Sequence, residues 1–91
     1  LCLIKYETEE EAIALANDTP YGLAGYVQGE HAHAVQVASK IRAGQITINK
    51  GARVRSAPFG GYGSSGNGRE HGTHGLEECL ETKAVIGALV E

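Results

Sequence analysis

The stretch "PFGGYGSSGNGRE", Pro58 to Glu70, decides how this chain folds. Within it, Gly61 to Gly66 spell G-x-G-x-x-G, the pattern of a dinucleotide-binding loop. Such a loop follows a strand, opens a helix on its last glycine and has an acidic residue about 20 positions on. The helix is required because its free N–H groups and dipole hold the pyrophosphate. Glu81 meets the acidic condition by position alone, and the other two conditions fail. Ala57-Pro58-Phe59-Gly60 is no strand ending, since Pro58 cannot donate to a ladder. After Gly66 come Asn67, Gly68, Gly72 and Gly75, with no apolar stripe for a helix to bury. A Walker-type loop is excluded for want of Gly-Lys-Ser/Thr. A flexible spacer has no need of Phe59, Tyr62, Arg69 and Glu70. The remaining reading is an ordered loop. Its glycines supply positive φ or close backbone approach, and Arg69 and Glu70 are polar groups held at a defined place.

Outward from this loop, the periodicity predicts an α/β chain. Residues 1–6, LCLIKY, read as a short buried strand. Thr8 and Glu11 form a capping box, and Glu9 to Glu11 suit the positive end of a helix dipole. Ala12, Leu15 and Ala16 give that helix one apolar face, and Asn17-Asp18 ends it. Thr19-Pro20-Tyr21-Gly22 is a type I turn. A strand over 23–28 and a helix over 31–42 follow, the helix with Ala34, Val37, Ala38 and Ile41 on one face. Gly44 stands where a left-handed residue would close that helix. Residues 45–48 form a third strand, and periodicity then stops from Asn49 to Gly75. A short helix over 76–80 and a strand over 83–90, interrupted by Gly87, complete the chain. The order β-α-β-α-β, long glycine-rich loop, α-β implies a partly parallel sheet. So long a loop fits a self-sufficient small domain poorly and is either functional or disordered.

The composition excludes several function classes. Ninety-one residues make at most one small domain with a marginal core. A net charge of −3 without a basic block speaks against nucleic acid as a partner. No apolar run approaches the ~18 residues of a membrane span. Cys2 and Cys79 are too few for a disulfide framework, so a reducing cytoplasm is the default location. Both are read as buried structural cysteines rather than nucleophiles. His31-x-His33 and His71-x-x-His74 have metal-pair spacings, but the first pair diverges on a helix and the second lacks completing ligands. All four are read as surface histidines. The missing methionine and the abrupt apolar start predict a piece of a longer protein.

The residues also carry a resemblance. PFGGYGSSGNGRE resembles the PFGGxKxSGxGRE segment near the C-terminus of the NAD(P)-dependent aldehyde dehydrogenase superfamily. Residues 16–24, ANDTPYGLA, resemble that family's A-N-x-x-x-Y-G-L-A, and residues 43–49, AGQITIN, its A-G-x-x-x-x-N strand. Gly75-Leu76-Glu77-Glu78 and Lys83-Ala84-Val85 are similar to its terminal helix and strand. Order and spacing agree across nearly the whole chain.

The resemblance implies the C-terminal part of a three-layer catalytic domain over 1–81 and a terminal strand of the oligomerisation region over 82–91. It implies a parent enzyme in which a cysteine thiolate attacks an aldehyde, hydride passes to NAD or NADP, and water releases the acid. The cofactor domain, the catalytic cysteine and the general base would lie outside this chain, which alone would bind no cofactor and be inactive. Phe59 matches an aromatic lining the aldehyde tunnel, or equally anchors the loop. Residues 50–56 would face substrate, with Arg53 and Arg55 suiting an acidic or polar substrate unless they are simply solvated. Glu70 matches a proton-relay glutamate, which a partly buried carboxylate can be, or else makes a salt bridge. Gly63 stands where the family has lysine. Gly63 and Gly66 match backbone positions that hold a monovalent cation in some relatives. Residues 83–90 would join a partner subunit's sheet and make a homo-oligomer. The alternative is a stand-alone structural or interaction module without catalysis.

Overall fold

The computed structural model describes residues 1–88. Helix α1 spans Glu9–Asn17, and Thr8 caps it by accepting the Glu11 N–H on Oγ at 3.2 Å. The Glu11 carboxylate closes the box one residue early, on the Glu7 N–H at 2.8 Å. Helix α1 half-buries Ala12 and Ile13, whereas Leu15 and Ala16, expected inside, are exposed. Ala12 and Ile13 share a groove with Val37 and Ile41, and that shared side fixes which face of the helix is inward.

Two strands follow, β1 at Ala24–Val27 and β2 at Gln45–Ile48. They pair in parallel, with Ala24 opposite Gln45 and Val27 opposite Ile48. A parallel pair needs a crossover, and α2, His31–Lys40, supplies it. Glu30 caps α2, its carboxylate accepting from Ala32 N–H at 3.0 Å and His33 N–H at 2.9 Å. The predicted face is right: Ala34 is buried, and Val37, Ala38 and Ile41 are half-buried.

The end of α2 differs from expectation. Ile41 is already extended, so Gly44 is not its left-handed cap. Asn17 explains the exit. Its side chain donates to the Lys40 carbonyl at 2.9 Å and accepts the Arg42 N–H at 2.8 Å, pulling the chain out of helical register. Gly44 serves close approach instead, since a Cβ there would overlap the Gly60 carbonyl oxygen. Asn49, at φ 54°, ends β2 and accepts the Gly29 N–H at 3.0 Å, tying the end of β2 to the turn before α2.

The last helix, α3, is Gly72–Glu77 and begins ahead of the expected Leu76. Residues 1–6 pair with no strand, and Leu1, Leu3 and Ile4 are exposed. A strand needs a neighbour to satisfy its ladder, and among the described residues no strand pairs with that run. Residues 83–88 are likewise unpaired, with a turn at Ile86-Gly87, and positions 89 and 90 of that expected strand lie outside the described residues. The observed architecture is therefore α/β with a two-stranded parallel sheet. Among the described residues Ala34 alone is a buried hydrophobic residue.

Candidate functional site

The glycine-rich loop folds back on the turn before β1 as a hydrogen-bonded knot. Gly22 is its centre: its carbonyl accepts from Gly44 N–H at 3.0 Å and Tyr62 N–H at 2.9 Å, and its N–H donates to Ser65 Oγ at 2.9 Å. The Pro20 carbonyl takes the Ser64 N–H at 2.8 Å. Gly63–Ser65 is a short 3-10 turn, and Gly66 leaves it at φ 98°, a positive φ that favours glycine. The Ser65 and Gly66 N–H groups are satisfied inside that turn by the Tyr62 and Gly63 carbonyls. A phosphate cradle needs free N–H groups at a helix start. Here the N–H groups of Tyr62, Ser64, Ser65 and Gly66 are already bonded, and no helix opens on Gly66, α3 beginning only at Gly72. The loop does not fit a dinucleotide.

Arg69 fastens the knot from the other side. Its Nη1 donates to the carbonyls of Gly61 at 2.9 Å and Gly68 at 2.8 Å. Its guanidinium lies 5.5 Å from the Tyr62 ring centroid, and that of Arg42 lies 5.9 Å from the same ring. Both separations are within cation–π range. The adjacent residue, Glu70, exchanges two backbone hydrogen bonds with Phe59, at 2.8 and 2.7 Å. The motif thus closes on itself as a loop pinched between Phe59 and Glu70.

That pinch sets Phe59 against a concave cleft of about 380 Å³ beside β2. Ile46, Ile48, Val54 and Ala57 line it with Phe59, together with Arg53, His31 and His71. The Arg53 guanidinium sits 6.0 Å from the Phe59 ring centroid. The structure therefore brings Phe59 and Arg53 together. Arg55 is exposed and not among the lining residues.

Glu70 departs from the partial burial expected of a relay carboxylate. Its side chain is 76% exposed, with Oε2 3.9 Å from His71 Nε2. The backbone of Glu70 is held by Phe59, but nothing among the described residues covers its carboxyl. At the expected cation position, Gly63 and Gly66 both have positive φ, and the Gly63 carbonyl accepts the Gly66 N–H at 3.1 Å. Among the described residues no three His, Cys, Asp or Glu side chains are grouped to hold a metal ion.

Both cysteines are exposed, against the expectation of burial, because the chain has almost no interior in which to enclose them. Cys79 Sγ lies 3.8 Å from the Gly75 carbonyl. His33 contacts Glu9 and so links α2 to α1. His71, read as a surface histidine, is exposed and borders the cleft at φ 63°. No helix among the described residues is long and apolar enough to cross a membrane.

Comparison with known proteins accounts for this arrangement. Residues 1–85 match the aldehyde dehydrogenase family. A 3-succinoylsemialdehyde-pyridine dehydrogenase from a Pseudomonas species is 52% identical over 88 residues, covering 96% of this chain and 18% of that protein. The crystal structure of an aldehyde dehydrogenase C mutant from Pseudomonas syringae, in complex with NAD+ and octanal, matches with a TM-score of 0.93 at 59% identity. That match covers 96% of this chain and 18% of the other. An aldehyde dehydrogenase of Mycobacterium tuberculosis in complex with NAD+ matches with a TM-score of 0.82 at 43% identity, covering 93% and 18%. This chain spans about a fifth of the length of these relatives. The match runs through both strands, the knot and α3, and the chain belongs to the aldehyde dehydrogenase family.

Proposed function

We propose that this chain is the C-terminal part of an enzyme that oxidises an aldehyde to a carboxylic acid with NAD(P)+. Its contribution is one wall of the aldehyde channel, centred on Phe59. The observation that carries this reading is the Phe59–Glu70 bridge. Two backbone hydrogen bonds hold an aromatic ring at the cleft in the segment by which the family is recognised. A ring fixed by its backbone positions a substrate chain without losing side-chain freedom on binding.

The chemistry itself belongs to the remainder of the enzyme. A nucleophilic thiolate needs an electropositive setting or an adjacent base. Cys2 and Cys79 lie outside the cleft lining, and Cys79 faces a carbonyl oxygen. The cofactor is proposed to be held by the remainder of the enzyme, and in keeping with this the Tyr62, Ser64, Ser65 and Gly66 N–H groups of the glycine loop are bonded within this chain. Residues 83–90 are proposed to add a strand to the sheet of a partner subunit.

The test is an assay of the purified 91-residue chain with octanal and NAD+. No NADH should form. The enzyme that contains the segment should turn over under the same conditions. Sustained turnover by the isolated chain would overturn the reading.

A further inference from the structure

We propose that Asn67-Gly68 is a site of covalent modification, where the Asn67 side chain loses its amide to the neighbouring backbone and residue 67 becomes isoaspartate or aspartate. The inference goes beyond the function proposed above, and only its consequence for aldehyde oxidation rests on that reading.

The reaction is intramolecular and consumes only water. The Gly68 amide nitrogen attacks Cγ of Asn67 and forms a C–N bond. The Cγ–Nδ2 bond breaks, and the Gly68 amide proton leaves with that nitrogen as ammonia. The product is a cyclic succinimide. Water then opens the ring at one of its carbonyls. Opening at Cγ leaves aspartate. Opening at the Asn67 backbone carbonyl leaves the chain running through the side chain, as isoaspartate. Nothing is oxidised or reduced.

Asparagine is a chemically labile residue, and the structure singles out this one. The nucleophile is free: among the described residues no backbone N–H from Asn67 to Arg69 donates a hydrogen bond. The N–H groups on either side do, that of Gly66 to the Gly63 carbonyl and that of Glu70 to the Phe59 carbonyl. The Asn67 side chain is exposed and, among the described residues, makes no hydrogen bond. Asn17 and Asn49 differ. Asn17 uses both ends of its amide, on Lys40 and Arg42, and Asn49 accepts the Gly29 N–H. Neither is followed by glycine. Gly68 gives the attacking nitrogen freedom to swing, with no Cβ in the way. Packing does not require glycine there, since the nearest atom to an added Cβ is Glu78 Oε2 at 4.0 Å.

The consequence follows from the next carbonyl. The Gly68 carbonyl accepts Arg69 Nη1 at 2.8 Å. It also faces Gly60 so closely that a Cβ on Gly60 would overlap it. Isoaspartate adds a methylene to the main chain just ahead of this carbonyl. The carbonyl then leaves its place between Arg69 and Gly60, and Gly60 adjoins Phe59.

The experiment incubates the enzyme that contains this segment, native and denatured in parallel, at mildly alkaline pH. Peptide mapping by mass spectrometry follows residue 67. In the native enzyme Asn67 should be lost faster than Asn17 or Asn49, with isoaspartate and aspartate appearing in its place. Gly68→Ala, which the open space accommodates, should slow the loss. In the isoaspartate form kcat/KM for octanal should fall by roughly 10- to 100-fold, the effect of a displacement of about 1 Å. Asn67→Asp carries the new charge without the added methylene and should lose less. Asn67→Gln, whose longer side chain closes a ring less readily, should keep its own kcat/KM through the incubation.

Asn67 that stays intact in the native enzyme while converting in the denatured chain would overturn the proposal. So would a loss no faster than at Asn17 and Asn49, or one not slowed in Gly68→Ala. An unchanged kcat/KM after full conversion would overturn the link to Phe59. If the fresh enzyme does not oxidise octanal, the dehydrogenase reading fails, and the mass map still decides the site.

Discussion

At the residue scale, the glycines of the family segments have different tasks, and their surroundings separate them. Gly44 faces the Gly60 carbonyl so closely that a Cβ could not be accommodated without moving backbone. Backbone cannot yield as a flexible side chain does, and the segment displaced would be the one that carries Phe59. Gly44→Ala in the intact enzyme is therefore expected to cost at least about 1–3 kcal/mol, the usual penalty of overpacking. It should also raise KM for the aldehyde, because Gly60 adjoins Phe59. Gly29 has nothing within 4 Å of an added Cβ and a negative-φ backbone. Gly29→Ala should be neutral or slightly stabilising, by lowering the entropy of the unfolded chain. Denaturant midpoints of the two variants check the contrast, and equal losses would mean that the Gly44–Gly60 approach is not tight.

At the element scale, α2 depends on its cap. The Glu30 carboxyl is held below the usual carboxylate range, first by the His33 N–H, then by the Ala32 N–H, with smaller help from the charges of His31 and His33. A pKa lower in the folded state than in the unfolded state stabilises the charged form. The stabilisation is complete above the unfolded pKa, about 4.3 for a glutamate, and is lost as pH falls through the folded value. Acidification should therefore lower the exchange protection of the Ala32 and His33 amides. Glu30→Gln should lower it at neutral pH and flatten its pH dependence. An unchanged protection profile in that variant would remove Glu30 as the cap.

The same elements show what the sequence makes legible. Thr8 and the Ala34-Val37-Ala38-Ile41 face act locally, within a turn or two of the chain, and their elements form as local rules require. The role of Gly44 and the end of α2 are set by Asn17 and Gly60, which are distant in sequence, so no local rule finds them. Helix α3 begins in Gly72-Thr73-His74-Gly75, poor helix formers, because Gly75 lies against the Glu70 backbone where a side chain would clash. The glycine loop was legible for what it is not, since the missing strand and helix could be read directly. Phe59 and Arg53 were legible as candidates through the resemblance. Their meeting at one cleft, which leaves Arg55 outside, depends on the backbone path from Ile48 to Phe59.

At the scale of the whole molecule, the surface decides. The chain exposes 7808 Å², against about 5,100 Å² for a folded monomer of its 9.6 kDa mass. Its radius of gyration is 18.0 Å, against about 12 Å for a compact chain of this length. Two apolar arms add to it, with Leu1, Leu3 and Ile4 exposed at one end and Val85 and Ile86 at the other, neither paired to a strand among the described residues. Unpaired backbone and exposed apolar side chains in one segment are what a sheet edge recruits. The C-terminal arm is the proposed subunit contact, so deleting residues 83–91 from the enzyme should shift it to smaller assemblies in light scattering after gel filtration. Because Phe59, Arg53 and the knot at Gly22 lie outside the deleted arm, the dissociated subunits should keep aldehyde-binding contacts, and any loss of kcat would follow the loss of assembly. An unchanged assembly size after the deletion would assign the subunit contact to another surface.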